Sequence, residues 1–306
     1  MVGSMNGEHR SYLRLTPESL RLGALAGALA LLGSLLAAGL GGCKDRGKES
    51  AARANEDTTV LAQLVVTDVA EIERGLPVGA AKFSAMFAPG ASDELKDPSV
   101  VKKKLLAVRR EVPDLVIAKS TFFALADDKG IALRNDLETD VMAGSNLVSI
   151  FPGLAPALQG QYVETSGGFP QTRQHNDRDW VAAAPVKRAD GSVGGLYLTG
   201  WTYRTFARHL QESRKHDLTE ALRDAGLNGQ MPIEYIGIFD QDGVYMAPLT
   251  PPVDEEALAG LKLSDRTASG QASGVMTVTD RDFGWSAIRA PKLGPQAGIV
   301  VLRSEL

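Results

Sequence analysis

Thr121-Phe122-Phe123-Ala124-Leu125-Ala126-Asp127-Asp128-Lys129-Gly130 is the stretch on which the fold turns. Residues 120–126 are apolar and suit a strand, Asp127-Asp128-Lys129-Gly130 is a tight turn, and 131–133 start a return strand. The same order recurs late in the chain. Residues 233–239 are followed by the turn Asp240-Gln241-Asp242-Gly243 and by 244–246, with Asp127 matching Asp240 and Gly130 matching Gly243. A second hairpin, 180–186 and 193–199 about a turn at 187–192, has its counterpart in 285–290, a turn at 292–296, and 298–302. Two units of strand-turn-strand, variable segment, strand-turn-strand predict a two-fold internal repeat.

The segment between the first unit's hairpins, 134–179, is long and rich in Gly, Pro and polar residues. A connection of that length inside a domain carries function or a helix of its own. In the second unit, 254–261 reads as a helix and 274–279 as a fifth strand. Residues 202–225, with Phe206, Leu210, Leu218 and Leu222 near one face, form a helix joining the units, and Gly226 ends it. Ahead of the repeat, Val60, Leu61, Leu64, Val65, Val69, Ile72 and Leu76 recur at three- and four-residue spacing from Thr58 onward, which predicts a long amphipathic helix. Ser99 caps a second helix with Val101, Leu105, Leu106 and Val108 as its stripe, stopped at Glu111-Val112-Pro113. Its Lys102-Lys103-Lys104 and Arg109-Arg110 read as a solvated face.

Cys43 is the chain's one cysteine, and it closes a run, 22–42, that holds no charged residue. Arg10, Arg14 and Arg21 precede the run, and Leu40-Gly41-Gly42-Cys43 ends it: a basic region, an apolar region and small residues before a cut. This closely resembles the lipobox of bacterial lipoproteins, with Gly41 a minor departure. The resemblance implies a diacylglyceryl group on the Cys43 thiol and cleavage just before it, so that 1–42 is a signal peptide. The rival is an uncleaved anchor, since about 20 uncharged residues span a bilayer. Either way residues 44–306 stand outside the cytoplasm, on a membrane. Residues 43–57, charged and poor in apolar side chains, read as a tether.

Composition narrows the partners. Setting aside Arg10, Arg14, Arg21, Glu8 and Glu18, the chain's 33 Lys+Arg and 37 Asp+Glu leave 30 against 35. Nucleic acid is not the expected partner, because phosphate binding needs a basic excess. Without a second cysteine the domain has no disulfide, and stability rests on an ordinary core.

With the long helix ahead of two such units, the passage 121–130, together with Trp180-Val181-Ala182-Ala183-Ala184-Pro185-Val186 and Asp190-Gly191-Ser192-Val193-Gly194-Gly195, resembles the double Cache arrangement of extracytoplasmic bacterial sensors. The likeness covers 58–306 and implies an α+β fold, a long N-terminal helix followed by two PAS-like lobes, each an antiparallel sheet with flanking helices. The divisions are then 1–42 signal peptide, 43–57 tether, 58–225 N-terminal helices, first lobe and linking helix, and 226–306 a second, smaller lobe. The family commonly binds small molecules in its first lobe, between sheet and insert. Either Phe122/Leu125 or Thr121/Phe123 faces inward there. Arg134, Asp136, Tyr162, Arg173, Asp179 and Trp180, with Tyr197 and Trp201 across the sheet, are the candidate ligand residues. Arg134 or Arg173 would fork onto a carboxylate of an anionic ligand. The family's amino-acid-binding members carry Arg-x-Trp-Tyr; here Arg178-Asp179-Trp180 runs into Val181, so the Tyr is missing.

No catalytic constellation stands out, and neither a metal nor a cofactor is expected. His209 and His216 lie seven apart on a helix, two turns rather than one, and do not form a pair of ligands. His175 with Asp177 and Asp179 reads as a solvated loop, and Asp240-Gln241-Asp242-Gly243 as a hairpin turn, since Val244 takes the place of an oxygen ligand. The expectation is a lipid-anchored sensor or small-molecule-binding protein, not an enzyme, that signals through a partner protein because no output segment follows the last strand. The alternative is an interaction lipoprotein whose lobes have lost the pocket and dock a partner. A hydrolase using Asp136 or Asp179 is the third reading.

Overall fold

Ser50, Ala54, Asp57, Leu61, Val65, Asp68, Val69, Ile72, Leu76 and Ala80 recur every three or four residues, so one face of the helix Arg46–Ala81 (α1) is buried along its length. The computed structural model describes residues 46–90, 92–170, 177–224, 226 and 231–305. The signal segment, Cys43, Arg173 and His175 lie outside these residues. At 1.5 Å per residue the 36 residues of α1 extend about 54 Å, enough to cross two sheets side by side.

The first sheet holds β1 (Phe122–Asp127), β2 (Ala132–Asn135), β3 (Val163–Gly167), β4 (Asp179–Lys187) and β5 (Val193–Thr202), ordered β2-β1-β5-β4-β3. The second holds β6 (Ile233–Phe239), β7 (Val244–Met246), β8 (Gln271–Val278), β9 (Arg281–Arg289) and β10 (Gly298–Ser304), ordered β7-β6-β10-β9-β8. Every neighbouring pair is antiparallel, and the two orders are the same once the second is renumbered. The expected α+β architecture is therefore what the chain adopts. Helices α2 (Pro98–Glu111), α3 (Tyr203–Asp224) and α4 (Pro252–Ala259) flank the sheets.

Three elements depart from the sequence reading. The helix α1 begins at Arg46, inside the stretch read as a tether. That stretch is polar because it packs through small groups: a Cβ on Gly284 of β9 would lie 1.9 Å from the Ala51 nitrogen, and Ser50 Oγ accepts from Glu305 N at 3.1 Å. Asp97, not Ser99, caps α2, accepting from Ser99 N at 2.8 Å, because Pro98 takes the first helical position. Strand β3 has no hydrophobic alternation to announce it; Val163-Glu164-Thr165-Ser166-Gly167 is half-buried throughout.

The strand alternation sorts the core into three parts. Phe123, Leu125, Trp180, Ala182, Tyr197 and Trp201 of the first sheet, and Ile236, Ile238, Ile299 and Val301 of the second, share one core with α1. The opposite face of the first sheet, Phe122, Ala124, Val181, Ala183, Leu196 and Leu198, packs on Met142, Leu147, Phe151, Leu154 and Phe169 of the insert. The second lobe has its own smaller counterpart around Trp285, Val300, Leu302, Leu258 and Leu263. Phe122 and Leu125, paired above as one inward set, thus lie on opposite faces, both buried.

Candidate functional site

In strand β4 the even positions turn toward α1, and in β5 the odd ones do. This parity carries Trp180, Tyr197 and Trp201 away from the insert, under the long helix. Trp201 stacks between Trp180 (ring centroids 4.2 Å apart) and Phe206 (4.3 Å). Tyr197 sits against Phe83 at 5.0 Å and Phe123 at 5.7 Å, and Gly79 of α1 lies so close that a Cβ there would be 2.6 Å from its ring. Burial, with the Asp136 carboxylate nearby, pushes the Tyr197 hydroxyl above its ordinary range. These aromatics are core, not a ligand platform, because both faces of the sheet are covered.

The polar candidates are engaged at home. Arg134 Nη1 lies 3.1 Å from Asp140 Oδ2 and its Nη2 donates to the Leu137 carbonyl at 2.8 Å, which holds the loop after β2. Asp136 Oδ1 accepts from Phe123 N at 2.8 Å, continuing the pairing of β1 and β2. Arg109 completes that corner, 3.5 Å from Asp136 and stacked over the Phe123 ring at 4.9 Å. Asp179, expected in a solvated loop, is 6% exposed and accepts from Phe169 N at 3.1 Å. Burial pushes its carboxyl up to about 6, against the pull of that hydrogen bond.

Tyr162 remains. It lines a cleft of ≈ 320 Å³ between the end of α1 and the C-terminal end of β4, with Pro77, Ala81, Ser84, Pro185 and Lys187. Its hydroxyl donates to Glu164 Oε1 at 3.0 Å. Burial raises the Glu164 carboxyl to about 7, Tyr162 and Lys292 opposing the rise and Glu73 adding to it. The walls are apolar and the polar groups few, the make-up of a small-molecule site.

A second cleft, ≈ 180 Å³, lies where the lobes meet and is lined by Ser166, Arg178, Asp240, Gln241, Gly294 and Gln296. Around it the lobes are clasped by bonds that the sequence did not announce. Arg178 Nε is 2.6 Å from Asp240 Oδ2, and its Nη1 pairs with Asp242. Trp180 Nε1 donates to the Lys292 carbonyl at 2.9 Å and Tyr203 Oη to the Leu293 carbonyl at 2.8 Å. Arg204 forks onto Glu255 of α4 at 2.8 and 2.5 Å. Lys292 pairs with Glu73 of α1. Two carboxylates in one short turn, Asp240 and Asp242, were the legible half of this clasp; Arg178 is its other half.

Helix α3 is also fixed to α1, by His209 with Asp68 at 2.9 Å and by Arg214 with Asp57. Asp57 in turn meets Arg303 of β10 at 2.7 Å, and Arg303 meets Glu234 of β6 at 3.2 Å. Burial, then the neighbouring Asp57, raises the Glu234 carboxyl to about 8. The linking helix therefore touches the first sheet, the long helix and the second sheet at once. Among the described residues no helix is long and apolar enough to cross a membrane.

No family model and no curated protein matches this sequence. Solved structures do. The extracellular domain of a protein named as a histidine kinase, vpHK1S-Z8, is similar with a TM-score of 0.51 at 9% identity, over 85% of this chain and 92% of that one. A domain of a sensory box/GGDEF family protein from Vibrio parahaemolyticus matches with a TM-score of 0.49 at 11% identity, over 85% and 98%. An extracellular ligand binding receptor from Desulfohalobium retbaense matches with a TM-score of 0.47 at 14% identity, over 81% of this chain; the chain spans 39% of that receptor's length. At 9% identity the first of these is a likeness of fold.

Proposed function

We propose that this chain is a membrane-anchored, extracytoplasmic ligand-binding lipoprotein of the double Cache type, lipidated on Cys43 and acting through a partner protein. The observation that carries the reading is the architecture: two five-stranded sheets of the same strand order on one long helix, the fold shared with the vpHK1S-Z8 extracellular domain. The role is binding rather than catalysis. Since Arg134 and Asp136 are held inside their own loop, the ligand site best supported by the described residues is the Tyr162 cleft, with Lys187 as the cation for an anionic ligand. Ligand there would bridge α1 and the first sheet and shift the population of their packing, and α3, bonded to both lobes, would pass the change on.

Thermal melting of the full chain in detergent, against a panel of organic acids, amino acids, amines and purines, tests the ligand claim. A ligand that binds only the folded state raises the melting temperature by mass action. The expected result is a dose-dependent rise that is lost in Lys187→Ala. The anchor is tested separately: the mass of the mature N-terminal peptide should show diacylglycerol on Cys43, and an unprocessed Met1 sinks that part alone. A second reading has its own observation. The insert face of the first sheet is filled by Phe151, Leu154, Phe169 and their neighbours, which suits a lobe that docks a partner instead of holding a ligand. A panel without effect on the melting temperature favours it.

A further inference from the structure

A sheet edge presents unpaired N–H and C=O groups, and proteins guard such edges with brevity, charge, proline or cover. The two sheets have four edges. β2 is four residues long and carries Arg134; β3 is five and carries Glu164; β7 is three. Among the described residues β8 has none of these guards along its outer edge, α1 meeting its first residue through Gln271 Nε2 and Thr58 Oγ1. It runs eight residues, Gln271-Ala272-Ser273-Gly274-Val275-Met276-Thr277-Val278, without one charge or proline, and alternates exposed and half-buried as far as Thr277. Among the described residues its backbone pairs with β9 alone. Val275 is 46% exposed, on the same side of the strand as Gln271, Ser273 and Thr277.

We propose that β8 is the edge at which a second copy of this chain adds to the sheet, antiparallel, about a two-fold axis through Val275. Residues opposite each other in such a pair share a face, so their numbers must sum to an even value. Centred on Val275, the pairing sets Val275 against Val275 of the second copy, Ser273 against Thr277, Gly274 against Met276 and Ala272 against Val278. Every one of these pairs is uncharged, so two identical edges meet without the like-charge opposition that would keep them apart. The exposed face also suits itself: Val275 gains an apolar neighbour, and the Ser273 hydroxyl meets that of Thr277, which donates to Asp282 Oδ1 at 2.7 Å and keeps a lone pair to accept. The contact is isologous and closes at two copies, joining the second lobes into one ten-stranded sheet. A partner of another kind would have to bring its own complement to an edge that offers no charge to select it. The inference is independent of any ligand in the first lobe.

The test is the mass of the full chain in detergent, by sedimentation across a dilution series. The native chain should be a dimer. Val275→Lys and Val275→Glu, which alter one exposed side chain and leave the circular dichroism unchanged, should each raise the dimer dissociation constant about tenfold. Mixing the two variants should restore dimers, since opposite charges then face across the axis. A monomeric native chain overturns the proposal, whether or not it captures an uncharged extended peptide. Dimers that persist equally in both variants, or a mixture that gains nothing over either alone, overturn it as well.

Discussion

The two lobes share one strand order and differ in what covers it. In the first, the sheet is buried on both faces, by α1 on one side and by the insert with Phe151, Leu154 and Phe169 on the other, and its edges are short and charged. In the second, the insert is reduced to α4 and the short helix Leu263–Arg266, the lobe's own core is smaller, and among the described residues the outer edge of β8 is unpaired. The same topology thus yields a lobe closed on itself and a lobe with a free edge. Strand order fixes which segments are neighbours; the inserts decide which surfaces are left for other molecules.

The contrast can be broken most sharply in the first lobe's own core. Phe151→Ala should cost about 4 kcal/mol, because a fully buried ring leaves a cavity under the sheet. Chemical denaturation measures it, and a loss under 1 kcal/mol would mean that the insert is not part of the core. In the second lobe the tight point is backbone against backbone. Gly284→Ala should cost about 3 kcal/mol, since the new Cβ has only the Ser50 and Ala51 main chain to displace. Gly79→Ala, which meets the end of the Tyr197 ring, should cost less; the reverse ranking would show that α1 is held chiefly by the first lobe.

Two buried carboxyls sharpen the comparison through pH, one in each lobe. Asp179 is raised by burial from 3.8 to about 6. A folded-state value above the unfolded one means that its contribution is present below 3.8 and lost as pH rises through about 6. Asp179→Asn keeps an acceptor for Phe169 N and removes the charge, so it should stabilise the protein at pH 7 by roughly 2 kcal/mol and flatten the pH profile between 4 and 6. Glu234 in the second lobe, raised to about 8, loses its contribution over a higher window, and Glu234→Gln should flatten the profile between 5 and 8 instead. Melting temperatures across pH read both; profiles unchanged by either variant would contradict the burial argument. The smallest effect is expected at the clasp. Arg178→Ala, removing a half-buried guanidinium from Asp240 and Asp242, should cost about 1–2 kcal/mol and split the unfolding into two transitions, one per lobe. A single unsplit transition would mean that α1 and the remaining bonds of the clasp, Trp180 with Lys292, Tyr203 with Leu293 and Arg204 with Glu255, couple the lobes without it.

Much of the fold was legible in the chain. The repeated hairpins could be read because each joins two apolar runs across a turn with its own chemistry, Asp127-Asp128-Lys129-Gly130 and Asp240-Gln241-Asp242-Gly243, and both turns stand where they were expected. Helix α3 was read to within a residue at its start because Phe206 and Leu210 repeat at helical spacing and Gly226, at φ 64°, stops it. The candidate site was far less legible. Of its described residues, Tyr162 alone lines one of the two clefts, while Arg134, Asp136 and Asp179 serve loops and strand ends.

Sequence by itself determined the α+β class, the two hairpins of each lobe and the long amphipathic helix, because local periodicity and turn chemistry act over a few residues and need no distant partner. Only the tertiary structure decided which face of each strand meets what. Trp180, Tyr197 and Trp201 went beneath α1 and not toward the insert because a sheet covered on both sides makes every strand position apolar, and hydrophobicity then no longer marks the inward face. The polar start of α1 was decided in the same way. Ser50, Asp57 and Thr58 are buried because Gly284, Ser286 and Arg303, more than two hundred residues away, provide the room, the hydroxyl and the charge that let them be.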